Sequence, residues 1–221
     1  DIKTGRIASA EAFSRWEDTK YGRLSPLEYI YVLEENHLIH KLDTFVIQEV
    51  AKEIKRRKDA GEEAVPVSIN LSGLDFELTS VIQVVDDAVR ENELSTEMLM
   101  FEITESLIAI DMDVMQREAE RFREHGYKIW MDAFGTGYSS FKVLKDFPLD
   151  GIKIDIDMIK TEENRERGAI IISTLIELAK KLRIPALAKG VETNEQLAFL
   201  SSIDCNLAQG YLFGKPKPIK S

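Results

Sequence analysis

Apolar positions along this chain follow two alternating periods. Short runs rich in β-branched and aromatic residues occur at Ile7–Phe13, Val65–Leu71, Leu99–Ile103, Lys128–Phe134, Gly151–Ile156, Ala186–Val191 and Leu207–Phe213. Each reads as a strand buried on both faces. Between most of them the spacing lengthens to that of a helix. Met112, Met115, Ala119 and Phe122 share one helical face, as do Ile171, Leu175, Leu178 and Leu182. Start signals agree: Ser25-Pro26-Leu27-Glu28 and Thr193-Asn194-Glu195-Gln196 both have the form of a capping box. Strand and helix alternating at this cadence predict parallel β/α units. Seven such strands favour an α/β fold of the TIM-like (β/α)8 barrel type; an open doubly wound sheet is the alternative.

Composition narrows the setting. The chain has 221 residues, 44% of them hydrophobic, enough for one domain over residues 1–221 with a real core. No apolar run approaches a membrane span, and no signal peptide is visible. A cytoplasmic location is expected, or the cytoplasmic part of a membrane-anchored protein. The single cysteine, Cys205, allows no internal disulfide and reads as a packing residue rather than a catalytic thiol. A formal net charge of −10 repels polymeric nucleic acid, but leaves room for a small anionic ligand held by local cations. The start at Asp1, almost within an element, reads as a fragment of a larger multidomain protein. The stretch from Lys215 to Ser221, with two prolines, reads as a tail or the start of a linker.

Polar residues sit where such strands should be apolar. Asn70, Glu102, Asp132, Lys153, Asp155, Lys189 and Gln209 lie at or near strand ends, Glu11 lies in the first strand, and Glu105 and Glu192 follow closely. A buried carboxylate costs several kcal/mol unless it is paired or bound to a cation. One could be a core ion pair. A series at successive strand ends converges on one mouth of a barrel. Carboxylates with an asparagine oxygen and no histidine suit a hard cation, Mg²⁺ or Mn²⁺. A polar network closing the barrel is the plainer reading. His37, His40 and His125 fall in or between helical segments, so none reads as a ligand.

The order of motifs resembles the EAL-domain family of cyclic-di-GMP phosphodiesterases over essentially the whole chain. The carrying residues are Glu11-Ala12-Phe13 followed by Arg15-Trp16; Gly22 with Ser25-Pro26; the Asn70 strand; and Glu102-Ile103-Thr104-Glu105-Ser106. Then come Asp132-Ala133-Phe134-Gly135-Thr136-Gly137-Tyr138-Ser139-Ser140, Lys153-Ile154-Asp155, Gly190-Val191-Glu192-Thr193 and Gln209-Gly210-Tyr211. The resemblance implies a TIM-like barrel with one antiparallel strand. It also implies two divalent cations that activate a water and stabilise charge on the phosphate. By motif, Glu11, Asn70, Glu102 and Asp132 hold the first metal, and Asp132 is shared towards the second. Lys153 and Asp155 orient water and phosphate, with Glu192 beside them in the catalytic set. Arg15, Gln209 and Phe13 line the ligand site, and Glu105 braces the Gly135–Ser140 loop.

The chain departs from that pattern twice. Ala133 stands where hydrolysing members carry a second aspartate, and Lys189 stands where they carry a glutamate. Both changes fall on the second-metal half, so one metal at most is expected and the second site is expected to be lost. Their added positive charge nearly offsets a missing divalent cation, which suggests that the Lys189 ammonium takes part of its place; drift, with Lys189 in solvent, is the other reading. Three functions remain open. They are a cyclic-di-GMP receptor with little or no hydrolysis, a weakly active phosphodiesterase, and a non-binding dimerisation or interaction scaffold. The resemblance further implies a bacterial signalling protein, pairing as a homodimer and joined to a GGDEF or sensory domain.

Overall fold

The computed structural model describes residues 1–135, 140–159 and 165–219. They gather into two compact units. One comprises Ser9–Glu102 and Arg117–Lys128; the other comprises Asp1–Ala8, Ile103–Gln116 and Ile129–Ser221.

In the first unit, β1 (Ala10–Glu11), β4 (Val67–Asn70) and β5 (Leu99–Thr104) pair in parallel in that order, with Ala10 opposite Val67 and Asn70 opposite Glu102. Two strands absent from the sequence reading, β2 (Trp16–Asp18) and β3 (Gly22–Leu24), form an antiparallel ribbon of their own. The antiparallel element expected from the resemblance is therefore a separate pair. Asp18 shapes its turn by accepting hydrogen bonds from the backbone N–H groups of Lys20 and Tyr21 at 2.8 and 2.9 Å. Helix α1 (Pro26–Glu35) begins at the predicted capping box, where the Glu28 carboxylate accepts from Ser25 N at 2.6 Å. Helices α2 (Ile39–Asp59), α3 (Gly73–Leu78) and α4 (Val81–Glu91) follow. Phe101, Phe122 and Tyr127 pack edge to face at 5.1–6.1 Å between ring centroids. The Tyr127 hydroxyl and His125 Nδ1 both meet Asp86, at 2.8 and 2.7 Å. His125 is thus a residue of a helix end, as its place before Gly126 implies.

In the second unit, β6 (Lys128–Phe134), β7 (Gly151–Asp155), β8 (Ala186–Lys189) and β9 (Leu207–Gln209) pair in parallel in sequence order. The helices are α5 (Glu105–Ile110), α7 (Ser140–Asp146), α8 (Arg165–Lys181) and α9 (Asn194–Ser202), while α6 (Met112–Glu124) belongs to both units. Met115, Ala119 and Phe122 of α6 are buried as their spacing predicts. Helix α8 departs from expectation. Its buried residues are Gly168, Ile172, Ile176 and Ala179, whereas Ile171 and Leu182 are about half exposed. The run Ile170-Ile171-Ile172 supplies apolar side chains in several directions, so helical spacing alone fits two stripes. Cys205 is buried and its thiol bonds the Leu207 carbonyl; burial pushes that thiol up. Within the described residues no helix is long and apolar enough to cross a membrane.

Candidate functional site

Parallel pairing brings the predicted polar residues to matching heights within each unit. In the first, Asn70 ends β4 and lies opposite Glu102 of β5. Its side-chain Nδ2 donates to Glu11 Oε1 at 2.9 Å, joining the ends of β1 and β4. Glu102 is only 1% exposed. Two carboxylates and an amide oxygen thus share neighbouring strand ends, and a carboxylate buried so deeply is stabilised by a cation or hydrogen-bond donors.

Arg15 lies between β1 and β2. Its Nη1 donates to the Ser14 carbonyl at 2.7 Å and its guanidinium sits 5.5 Å from the centre of the Phe13 ring, a cation–π arrangement. Phe13 is partly exposed. A cavity of about 220 Å³ opens here, lined by Ser14, Arg15, Trp16, Glu17, Tyr29 and Leu42.

In the second unit the row runs across three strands: Asp155 faces Lys189, and Lys189 faces Gln209. Lys153, two residues before Asp155 on β7, is buried. The Lys189 ammonium donates to both oxygens of Asp132, at 3.0 Å to Oδ1 and 2.8 Å to Oδ2. Neither side chain is fully exposed, so the pair is more than a solvated surface contact.

Asp132 reaches this position because β6 bulges. Its register with β7 shifts between Met131 and Phe134, the interval holding Asp132 and Ala133. A bulge inserts an unpaired residue and re-aims its neighbour. Ala133 takes the left-handed conformation, with φ of 53°. That conformation costs an alanine about 1–2 kcal/mol, whereas aspartate and asparagine enter it more readily. Burial pushes the Asp155 carboxyl up and the nearby Asp157 adds to the shift. The Asp157 backbone N–H, donating to Asp155 Oδ1 at 2.9 Å, and the Lys189 charge oppose it. Asp157 was not singled out from sequence, although Asp155-Ile156-Asp157 places two carboxylates around the strand end.

Glu105 opens α5 and is buried. Of the Gly135–Ser140 loop assigned to it, residues 136–139 lie outside the described residues. Glu192 is exposed in the segment before α9, where its backbone N–H donates to Gln196 Oε1 at 2.7 Å. Gln209 ends β9, and its carbonyl accepts from Gly190 N and Val191 N.

The chain belongs to the EAL domain family, which it matches over residues 1–216. Among similar proteins of Pseudomonas aeruginosa, the cyclic di-GMP phosphodiesterase NbdA is 34% identical over 99% of this chain and 28% of its own length. The bifunctional diguanylate cyclase/cyclic di-GMP phosphodiesterase MucR is 32% identical over 97% of this chain and 31% of its own length. The chain therefore spans roughly a third or less of these relatives. A solved structure described as the PaMucR phosphodiesterase in complex with c-di-GMP superposes with a TM-score of 0.89 at 32% identity, over 97% of this chain and 87% of that one. The fold class is α/β, of the TIM-like barrel type, as the alternation of periods predicts.

The family uses divalent metal. Glu11, Asn70 and Glu102 fit such an ion chemically, as hard oxygen donors on adjacent strands. Among the described residues no three Asp, Glu, His or Cys side chains are grouped to hold a metal by themselves, so Asn70 is needed to complete a donor set.

Proposed function

We propose that this chain binds cyclic-di-GMP as a receptor or regulatory module and hydrolyses it slowly or not at all. One observation carries this reading: the Lys189 ammonium is seated on both carboxylate oxygens of Asp132. Asp132 corresponds to the ligand shared by two metals in the family, and Lys189 to a carboxylate proposed as the general base. An ammonium in that place disfavours a second divalent cation electrostatically. Ala133 beside it offers no ligand atom. A two-metal hydrolysis needs both cations and a water of lowered pKa, so turnover falls by orders of magnitude.

Glu11, Asn70 and Glu102 would hold one Mg²⁺ or Mn²⁺, which would polarise the phosphate; Asp132, a further ligand by motif, is engaged by Lys189 instead. Arg15 supplies a cation for the same phosphate group, and Gln209 and Phe13 line the ligand. Lys153 and Asp155 keep a proton donor and acceptor near the scissile bond, but without the second metal they position more than they activate. Binding is passed to a neighbouring GGDEF or sensory domain in a homodimeric signalling protein. That a similar protein is named as both cyclase and phosphodiesterase supports such an arrangement.

Calorimetric titration of cyclic-di-GMP into the purified chain, first in EDTA and then in Mg²⁺, tests the reading. Micromolar or tighter binding in EDTA with negligible product by chromatography is expected. Turnover at the rate of an intact relative, or no binding in either buffer, would overturn it; the latter favours an interaction scaffold.

A further inference from the structure

Tyr29 brackets Arg15. From helix α1 its side chain reaches the segment joining β1 to β2 and touches the residues on both sides of the arginine. Its hydroxyl lies 2.8 Å from Ser14 Oγ and donates to the Ser14 carbonyl at 2.9 Å. Its ring lies 5.7 Å from that of Trp16, tilted by 50°. Tyr29 is 4% exposed although the segment it holds is largely at the surface. The same Ser14 carbonyl accepts from Arg15 Nη1 at 2.7 Å. The hydroxyl that fixes the carbonyl therefore also fixes the acceptor on which the guanidinium rests.

We propose that Tyr29 is a positioning residue for Arg15: through Ser14 and Trp16 it pre-orders the guanidinium at the wall of the cavity for an anionic phosphodiester. The proposal rests on the reading of Arg15 as a ligand contact. An exposed arginine carries substantial rotamer entropy, and ordering it before a ligand arrives removes part of that cost from binding. The Phe13 ring and the shared carbonyl both hold the guanidinium. A buried tyrosine hydroxyl finds a partner in most folds; here the partners are the backbone and side chain of the residue next to the arginine.

Tyr29→Phe keeps the ring and removes the hydroxyl. The expected result is a Kd for cyclic-di-GMP raised about 3- to 10-fold, the worth of one or two hydrogen bonds, with the melting temperature little changed. In an Arg15→Ala background the same substitution is expected to add nothing, because the arginine it positions is gone. Equal effects with and without Arg15 would overturn the proposal. The Arg15 Nε–H signal in NMR, with its heteronuclear NOE, reads the same geometry without any ligand. Loss of order at Arg15 in Tyr29→Phe supports positioning even if the wild type binds no cyclic-di-GMP, in which case only the functional reading fails. An unchanged Arg15 signal overturns the positioning role whatever the affinity. Ser14→Ala removes one of the two hydroxyl contacts and is expected to give a smaller change in the same direction; it replaces Tyr29→Phe should that variant not fold.

Discussion

Lys189 and Asp132 form a forked ion pair, with the ammonium within 3.0 Å of both carboxylate oxygens. The two residues come from different strands, β8 and β6, and are joined by a bulge that turns Asp132 toward its partner. The lysine is a counter-charge to Asp132, and Ala133 beside it carries no ligand atom.

Carboxylates at positions 133 and 189 should raise activity if the proposed loss of the second metal holds. Ala133→Asp with Lys189→Glu is expected to raise cyclic-di-GMP turnover by at least two orders of magnitude in Mn²⁺, within the range a metal-generated nucleophile supplies. Aspartate suits the left-handed backbone at position 133 better than alanine does, so the substitution adds no backbone strain to what is already there. Lys189→Glu alone is expected to recover much less. Product quantified by chromatography decides, and a double variant as inert as the parent would show that something other than these two positions limits hydrolysis.

Stability should fall with rising pH through a pair of aspartates away from the strand ends. Asp43 of α2 and Asp75 of α3 share a hydrogen bond; burial, then the Asp75 charge, push the Asp43 carboxyl up to about 9, with Glu34 of α1 adding to the shift. Burial also raises Asp75, while Asp43, the Ser72 backbone N–H at 2.7 Å and His40 pull it down. Because the folded carboxyl of Asp43 titrates above its unfolded value, its contribution is greatest below about pH 4 and is lost as the pH rises toward 9. Asp43→Asn keeps a donor to Asp75 at every pH. It is expected to gain about 1–3 kcal/mol on the wild type between pH 5 and pH 8.5. Chemical denaturation at the two pH values measures this, and a constant difference would exclude the shared proton.

Gly151 should be irreplaceable for a packing reason. It faces Trp130 across β6 and β7, and a Cβ there would strike the indole. Overpacking of this kind costs typically 1–3 kcal/mol, and the ring is itself in the core. Gly151→Ala is expected to lower the denaturation midpoint by about that free energy, and Trp130 fluorescence should shift with it. A neutral substitution would mean that the indole can swing aside.

The parallel strands and the polar residues at their ends could be read from the chain, because a two-sided buried strand must be apolar and any exception there is conspicuous; β1 and β9, by contrast, are shorter than their apolar runs and partly exposed. Cap sequences located two helix starts, since Glu28 and Gln196 bond the backbone only three residues away. Relationships between elements were not so legible. Which stripe of α8 is buried depends on what packs against it, and Ile170-Ile171-Ile172 satisfies more than one choice. The ribbon of β2 and β3 is too short to show a period, so its turn residues had to be seen in place. Tyr29 was not singled out from the sequence, because the Ser14 that its hydroxyl meets lies fifteen residues away. Sequence alone placed Asp132, Ala133 and Lys189 at strand ends. Folding decided that the lysine answers Asp132, because an ion pair is set by three-dimensional distance, and a bulge in β6 supplies the turn that closes it.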